Sequence, residues 1–198
     1  LTLAFVGAHF VSAIFLIWMP LFFYEKFHMS LARAGFSSVI FIQIAGALSA
    51  LCNGWLGDWM ARTFSHGRVL LQAGYLLFGA GMIIFIGQTN TMTTLIVAMM
   101  VFGFCKGGYD IGVFATLFDY VHPTMRGSAS GMILSLGWLG GALGPALVGL
   151  IATYGGASGT ALHRMSMTIS ASALAYLLAA LLLLSILPKN KKNRSPSS

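Results

Sequence analysis

A lysine and an aspartate stand four residues apart in one of the most apolar parts of the sequence, the stretch FCKGGYDIG at positions 104–112. If this stretch is helical, Lys106 and Asp110 face the same way, because residues four apart on a helix are neighbours. The lysine can present a positive charge to an anionic ligand, and the aspartate can be its resting partner or carry a proton. Alternatively, the two charges neutralise each other, or other charges, and affect packing only.

Composition and hydropathy predict the elements around this pair. Hydrophobic residues make up 58% of the 198 residues, charged residues only 8%, and the mean hydropathy is +0.86, which is typical of a membrane protein. The apolar segments can cross about 30 Å of hydrocarbon as helices, and they lack the strict alternation of a transmembrane barrel. We predict an all-α membrane protein with six transmembrane helices: 3–23, 35–55, 69–87, 94–118, 128–154 and 165–187.

Lys106 falls near the middle of the fourth predicted helix. Its distance from Thr94 along a helix corresponds to about 18 Å, roughly the depth of the bilayer midplane. An ionised side chain there costs about 2.5 kcal/mol or more, so such residues face the interior of a bundle or a water-filled cavity. Tyr109 adds a hydroxyl group, and we expect Lys106, Tyr109 and Asp110 to line a substrate path. Four glycines are expected to leave room beside the pair: Gly103, Gly107, Gly108 and Gly112.

Positive charge is unequally distributed between the two sides of the membrane. Seven basic residues lie on the side of the C-terminus: Arg62, Arg68, Arg126, Lys189, Lys191, Lys192 and Arg194. Three lie on the other side: Lys26, Arg33 and Arg164. Because positive residues collect in cytoplasmic loops, we predict a cytoplasmic C-terminus, with the chain in the inner or plasma membrane of the cell. Residues 188–198 are basic and contain Ser and Pro, so they are predicted to form a disordered tail.

The net charge of +7 has a simple explanation in this topology. Basic loops and a basic tail are attracted to the anionic headgroups of the lipid bilayer. A nucleic-acid partner is therefore not needed to explain the charge, and none is predicted.

The loop between the second and third predicted helices contains a motif. Four residues match the pattern G-x-L-x-D-[RK]-x-G-[RK]: Gly54, Leu56, Asp58 and Arg62. Trp59 stands where a basic residue is usual, and Ala61 where glycine is usual. The loop resembles that of the major facilitator superfamily, and departures of this kind are similar to the weaker copy of the motif in the second half of these transporters.

Charged residues of this loop and of the next cytoplasmic turn are predicted to form a conformational latch. A carboxylate such as Asp58 can sit against the positive N-terminal end of a neighbouring helix, and nearby arginines such as Arg62 can pair with it. A latch of this kind holds one state of a transporter and is released in the other. In the turn between the fourth and fifth helices, Asp119 and Arg126 are expected to bridge at the membrane surface. This turn also resembles the corresponding turn of a major facilitator half.

The fifth predicted helix is rich in glycine and contains Pro145, which can kink it. Small-xxx-small spacing, which lets another backbone approach closely, occurs in three pairs: Gly127/Gly131, Gly137/Gly141 and Gly140/Gly144. We therefore predict that this helix, notably through Gly137, Gly141 and Gly144, packs against other helices. Its sequence also resembles a helix that packs between the two halves of facilitator transporters.

The resemblance covers all six helices and implies the C-terminal half of a transporter that rocks two six-helix halves about a central site. In such a half the first and fourth helices line the cavity, which adds residues of the first helix to the candidate substrate site: His9, Trp18 and Tyr24. Gln43 on the second helix is a further candidate. The implied substrate is a small organic anion, such as a sugar phosphate or hexuronate. The implied partners are a coupling ion (H⁺ or Na⁺) or counter-substrate, and the N-terminal half of the same transporter.

Two other functions are compatible with six helices. A self-contained channel would conduct without saturation or coupling. An intramembrane protease of the rhomboid type would need Ser130 and His163, but these residues are predicted on opposite sides of the membrane and cannot share a proton. The sequence shows neither metal-ligand spacing nor a P-loop, so we predict no enzyme activity, no metal and no cofactor.

Overall fold

A computed structural model of the protein describes residues 1–154, 161–185 and 187. The elements in these ranges are α1 Thr2–Phe27, α2 Leu31–Thr63, α3 Gly67–Gln88, α4 Met92–Tyr120, a short 3₁₀ turn Pro123–Met125, α5 Arg126–Tyr154 and α6 Ala161–Ser185. Six of them are helices long and apolar enough to cross a membrane. The prediction of an all-α membrane protein is therefore confirmed. The predicted tail 188–198 lies outside the described residues.

The turn between α2 and α3 requires a glycine. His66 adopts the left-handed conformation with φ 69°, and α3 begins at the next residue, Gly67. A Cβ atom at Gly67 would overlap the carbonyl group of Met60, so any other residue would force this turn apart. The tight turn places Arg68 in the first turn of α3, close to the end of α2.

The helices form two closely packed sets that share a core. α1 packs on α5 and α6, and α4 packs on α2 and α3, while α3 also packs on α6. The rings of Phe15 on α1 and Phe102 on α4 stack with their centroids 4.5 Å apart, which joins the two sets near the middle of the bundle. Further fully buried side chains of this core are Phe5, Phe22, Phe23, Leu76, Ile83, Tyr109 and Tyr176.

The glycines in the middle of α5 lie against α1. A Cβ atom at Gly144 would stand 2.5 Å from the carbonyl oxygen of Phe10, and one at Gly137 would stand 2.5 Å from the ring of Phe5. Gly141 has more space, because a Cβ atom there would stand 3.4 Å from the carbonyl oxygen of His9. α5 remains helical through Pro145. Gly137, Gly141 and Gly144 thus allow α1 and α5 to pack closely within this six-helix unit.

The glycines of α4 lie in close contact with α2 and α3, and two of them, Gly103 and Gly107, also line a hollow of about 270 Å³ beside Lys106 and Asp110. A Cβ atom at Gly107 would stand 2.6 Å from the carbonyl oxygen of Gly46, and one at Gly103 would stand 2.5 Å from that of Ile42. At Gly108 and Gly112 the corresponding space is filled by side chains of α2 and α3. The prediction therefore holds in part: Gly103 and Gly107 border a hollow beside the pair, while the same glycine spacing also brings the α2 backbone into close contact with α4.

We expect Gly144→Ala to lower the free energy of unfolding by about 1–3 kcal/mol, the usual range for an overpacked contact. The added methyl group would overlap the backbone of Phe10, which cannot move without shifting α1. The matched control is Gly131→Ala on the same helix, where no atom lies within 4 Å and alanine favours the helix. Denaturant unfolding in detergent measures both changes. An equal effect at the two positions would contradict the close contact between α1 and α5.

Candidate functional site

A cavity of about 300 Å³ opens between α1, α2, α4 and α5. Its lining combines apolar residues of α1 and α2 with a small set of polar and aromatic side chains: His9, Ser12, Ser38, Gln43, Lys106, Asp110 and Trp138. Mostly apolar walls with a few convergent polar groups are typical of small-molecule sites. The cavity therefore is the candidate ligand site of this chain.

Lys106 and Asp110 form an ion pair on the cavity wall. The Nζ atom of Lys106 lies 2.5 Å from Oδ2 of Asp110, and the two side chains are 25% and 31% exposed. The same two residues also line a second hollow of about 270 Å³ between α2 and α4, together with Gln43 and Gly46. The pair is therefore open to solvent or to a ligand on more than one side, which a pair that served packing alone would not require.

His9 contributes an imidazole to the same cavity. Its Nδ1 atom lies 3.3 Å from the carbonyl oxygen of Phe5, one helical turn earlier. Its ring lies 4.0 Å from the Phe5 ring and meets the edge of Trp138 on α5 at 5.6 Å between centroids. These contacts fix the orientation of the imidazole at the cavity wall. Trp138 was not predicted as a cavity residue. The signal in the sequence that could have indicated it is its position next to Gly137, one of the glycines predicted to pack against another helix.

Three residues predicted to line the cavity lie elsewhere. Tyr109 is fully buried in the core, because one residue along a helix turns the side chain by about 100° from Asp110. Trp18 donates its indole N–H to the carbonyl oxygen of Pro145 at 3.2 Å, and it therefore belongs to the α1–α5 contact. Tyr24 is 43% exposed near the end of α1 and does not line the cavity. Gln43, the weaker candidate, does line it.

A three-helix ion cluster joins α2, α3 and α4 at one end of the bundle. Arg68 on α3 donates from Nη1 to both carboxylate oxygens of Asp119 on α4, at 2.8 Å each. It also donates from Nη2 to Asp58 on α2 at 2.8 Å. A planar guanidinium with several donors is suited to binding two carboxylates in this way. We call Asp58, Arg68 and Asp119 the ion cluster.

The arginine of the ion cluster, Arg68, is not one of the two predicted for the latch. In the described part of the chain Arg62 is exposed and forms no ion pair, because the turn at Gly67 brings Arg68 between the two acids instead. Arg126 does not bridge to Asp119. It donates to the carbonyl oxygen of Phe118 at 3.1 Å and lies over the Phe118 ring, so it caps the end of α4.

A network of buried polar side chains lies below the ion cluster. Asn53 donates to the carbonyl oxygen of Ser49 at 2.8 Å and accepts from the Tyr75 hydroxyl. Gln72 donates to the carbonyl oxygen of Gly112 at 2.8 Å and to Thr116. A small hollow of about 120 Å³ separates this network from Arg68. Sequence analysis missed the network because its members are uncharged and widely spaced along the chain.

These features define an integral, multi-pass membrane protein with a charged cavity between its helices. In the described ranges, no group of three or more His, Cys, Asp or Glu residues could hold a metal ion. The model of the Major Facilitator Superfamily matches residues 1–198. The chain belongs to this superfamily of membrane transporters.

Curated relatives give a more specific similarity. The chain is 30% identical over 163 residues to the glucose-6-phosphate exchanger SLC37A2 of Mus musculus, a match that covers 78% of this chain and 32% of the relative. It is 29% identical over 164 residues to human SLC37A2, with the same coverage. It is 27% identical over 162 residues to the human glucose-6-phosphate exchanger SLC37A1, covering 78% of this chain and 30% of the relative. The chain thus spans about a third of the length of these relatives.

We expect Arg68→Gln to lower the free energy of unfolding by about 1 kcal/mol, a small value because the charges of the ion cluster are partly exposed to solvent. Arg62→Gln removes the same charge from the neighbouring turn and should change stability by less than about 0.5 kcal/mol. Thermal unfolding in detergent, at low and high salt, compares the two. If Arg62→Gln is the more harmful change, the assignment of Arg68 to the ion cluster is wrong.

Proposed function

We propose that the chain is the C-terminal six-helix half of a major facilitator carrier, and that it transports a small organic anion of the sugar-phosphate class by alternating access. The observation that carries this proposal is the Lys106–Asp110 pair, open to a cavity in the interior of the bundle. Membership of the superfamily and the names of the glucose-6-phosphate exchangers among the relatives support it. No residue is assigned a catalytic role.

In this proposal Lys106 provides the cation that binds the anion. Asp110 holds its ammonium group while the cavity is empty, which limits the cost of an ionised side chain inside the membrane. An incoming phosphate group replaces Asp110 as the partner of Lys106 or shares the ammonium with it. Ser12 and Gln43 provide hydrogen-bonding groups for the hydroxyls of a sugar.

The other half of the carrier would cover the open side of the cavity. Large apolar side chains on the helices around it are exposed in this chain, including Leu16 at 55%, Phe36 at 67% and Trp138 at 63%. A neighbouring half would bury them and would also keep the polar side of the cavity away from lipid, which charged residues inside a membrane require. The partner in this proposal is the N-terminal half of the same transporter.

The ion cluster would act as the conformational latch. It joins the ends of α2 and α4 to the start of α3, on the same side as the end of α6 in a six-helix chain. With the C-terminus in the cytoplasm, as the distribution of basic residues favours, the ion cluster stabilises the state in which the helices are closed at the cytoplasmic side. Opening there would require Arg68 to leave at least one of its two partners.

We expect Lys106→Ala in the full-length carrier to lower glucose 6-phosphate uptake about 10- to 100-fold, the equivalent of one hydrogen bond to a charged group. Lys106→Arg should recover part of the uptake, because the charge is kept but the guanidinium is larger and planar. Counterflow in proteoliposomes is the assay, since only a saturable carrier, and not a channel, accumulates labelled substrate against an unlabelled internal pool.

The double variant Lys106→Ala with Asp110→Ala separates substrate binding from charge balance. If Lys106 binds the substrate, this variant is inserted and folded but inactive. If the lysine only neutralises Asp110, each single change leaves a costly unpaired charge, and the double change restores both stability and uptake. Restored uptake would therefore refute the proposed function.

For the latch, we expect Asp58→Asn to leave the carrier inserted but to shift it towards the state that is open at the cytoplasmic side. The loss of one carboxylate weakens the hold of Arg68 on α2. Labelling of single cysteines introduced at the two ends of the cavity reports the shift, and Arg62→Gln is the control that should leave labelling unchanged. Unchanged labelling in Asp58→Asn would reject the latch.

A further inference from the structure

We propose that His9 is the proton-binding group of the cavity, and that its protonated form is the one that binds the anion. This inference rests on the proposed function, since it concerns the same cavity, and it identifies the proton as the ion linked to substrate binding. The first observation is the position of His9. It lines the cavity together with Lys106 and Asp110.

The hydrogen bond of His9 determines which nitrogen can take up a proton. Nδ1 lies 3.3 Å from the carbonyl oxygen of Phe5, and a carbonyl can only accept. Nδ1 therefore carries the hydrogen in the neutral ring, and Nε2 carries the lone pair. Among the described residues no side chain or backbone group bonds to Nε2. Contacts with the rings of Phe5 and Trp138 keep the imidazole in place, so a proton can bind at Nε2 without a change of orientation.

Protonation of His9 changes the net charge of the cavity lining, which an anion would encounter. α4 contributes Lys106 and Asp110, which are opposite in sign and cancel. α2 contributes Ser38 and Gln43, and α5 contributes Trp138, all of them neutral. No described residue of α6 lines the cavity, and His9 is the only titratable group that α1 provides there. The lining is thus neutral overall when His9 is neutral, and it carries one net positive charge when His9 is protonated.

The sign of the linkage follows from this charge count. An anion beside His9 favours the imidazolium form, so a proton on His9 favours the bound anion to the same extent. Anion affinity is therefore highest at a pH below the range in which His9 titrates, and it falls as the pH rises through that range.

The test measures glucose 6-phosphate affinity in the full-length carrier, by calorimetry in lipid nanodiscs, from pH 5.5 to pH 8. The carrier is compared with His9→Gln and His9→Asn, whose amides resemble Nε2 and Nδ1 of the imidazole but do not titrate. Glucose 6-phosphate itself also ionises in this pH range, but this affects the unmodified carrier and the variants equally. The ratio of the affinity of the carrier to that of a variant therefore reports the effect of His9 alone. We expect the unmodified carrier to bind about tenfold more tightly than either variant at the acid end, and about equally at the basic end.

His122→Gln is the control, because this histidine is exposed in the turn before α5 and its loss should leave the pH profile unchanged. Binding should also take up more protons in the unmodified carrier than in the His9 variants, measured in buffers of different ionisation enthalpy.

An affinity ratio of carrier to His9 variant that stays constant from pH 5.5 to 8, or an equal proton uptake, would overturn the role of His9. Because Lys106→Ala is measured alongside, full binding in that variant would instead show that the proposed function itself is wrong.

Discussion

An ionised lysine in the hydrocarbon region of a membrane is stable only beside a counter-charge and away from lipid, and the arrangement of the other helices follows from this constraint. Lys106 has its counter-charge on its own helix, one turn away at Asp110. Lys106 therefore needs no counter-charge from another helix. The surrounding helices have only to keep the two charges away from lipid. α1, α2 and α5 do so by forming walls around a cavity instead of packing directly on the pair.

Glycines determine how closely the helices around the cavity pack on one another. Gly103 and Gly107 let the backbone of α2 lie directly on α4, and Gly144 does the same for α1 on α5, where Gly137 makes room for the ring of Phe5. The cavity lies between these two close-packed sets of helices, where larger side chains keep them apart. At the cytoplasmic side of the proposed topology, the ion cluster and the polar network of Asn53 and Gln72 tie α2, α3 and α4 together. In the proposed carrier, a movement that changes access to the cavity would act on these polar contacts, while the glycine contacts remain.

The sequence was sufficient for the features that depend on a single helix. Six helices followed from apolar length, and the shared face of Lys106 and Asp110 followed from helical periodicity. Features that depend on two helices were less accessible. The spacing of Gly103 and Gly107 suited an open space and a close contact equally well. Tyr109 looked like a cavity residue until its rotation from Asp110 was fixed by packing. Arg62 and Arg68 were both plausible partners of Asp58, and only the tight turn at Gly67 decided between them.

The central claim is that an organic phosphate binds at Lys106 in this cavity. A structure of the full-length carrier with glucose 6-phosphate tests it most directly. The account predicts a phosphate oxygen within about 2.7–3.2 Å of Nζ of Lys106, the range of a hydrogen bond, with Gln43 and His9 in the wall of the same site. A phosphate bound elsewhere, with the Lys106–Asp110 pair intact and the cavity empty, would contradict it.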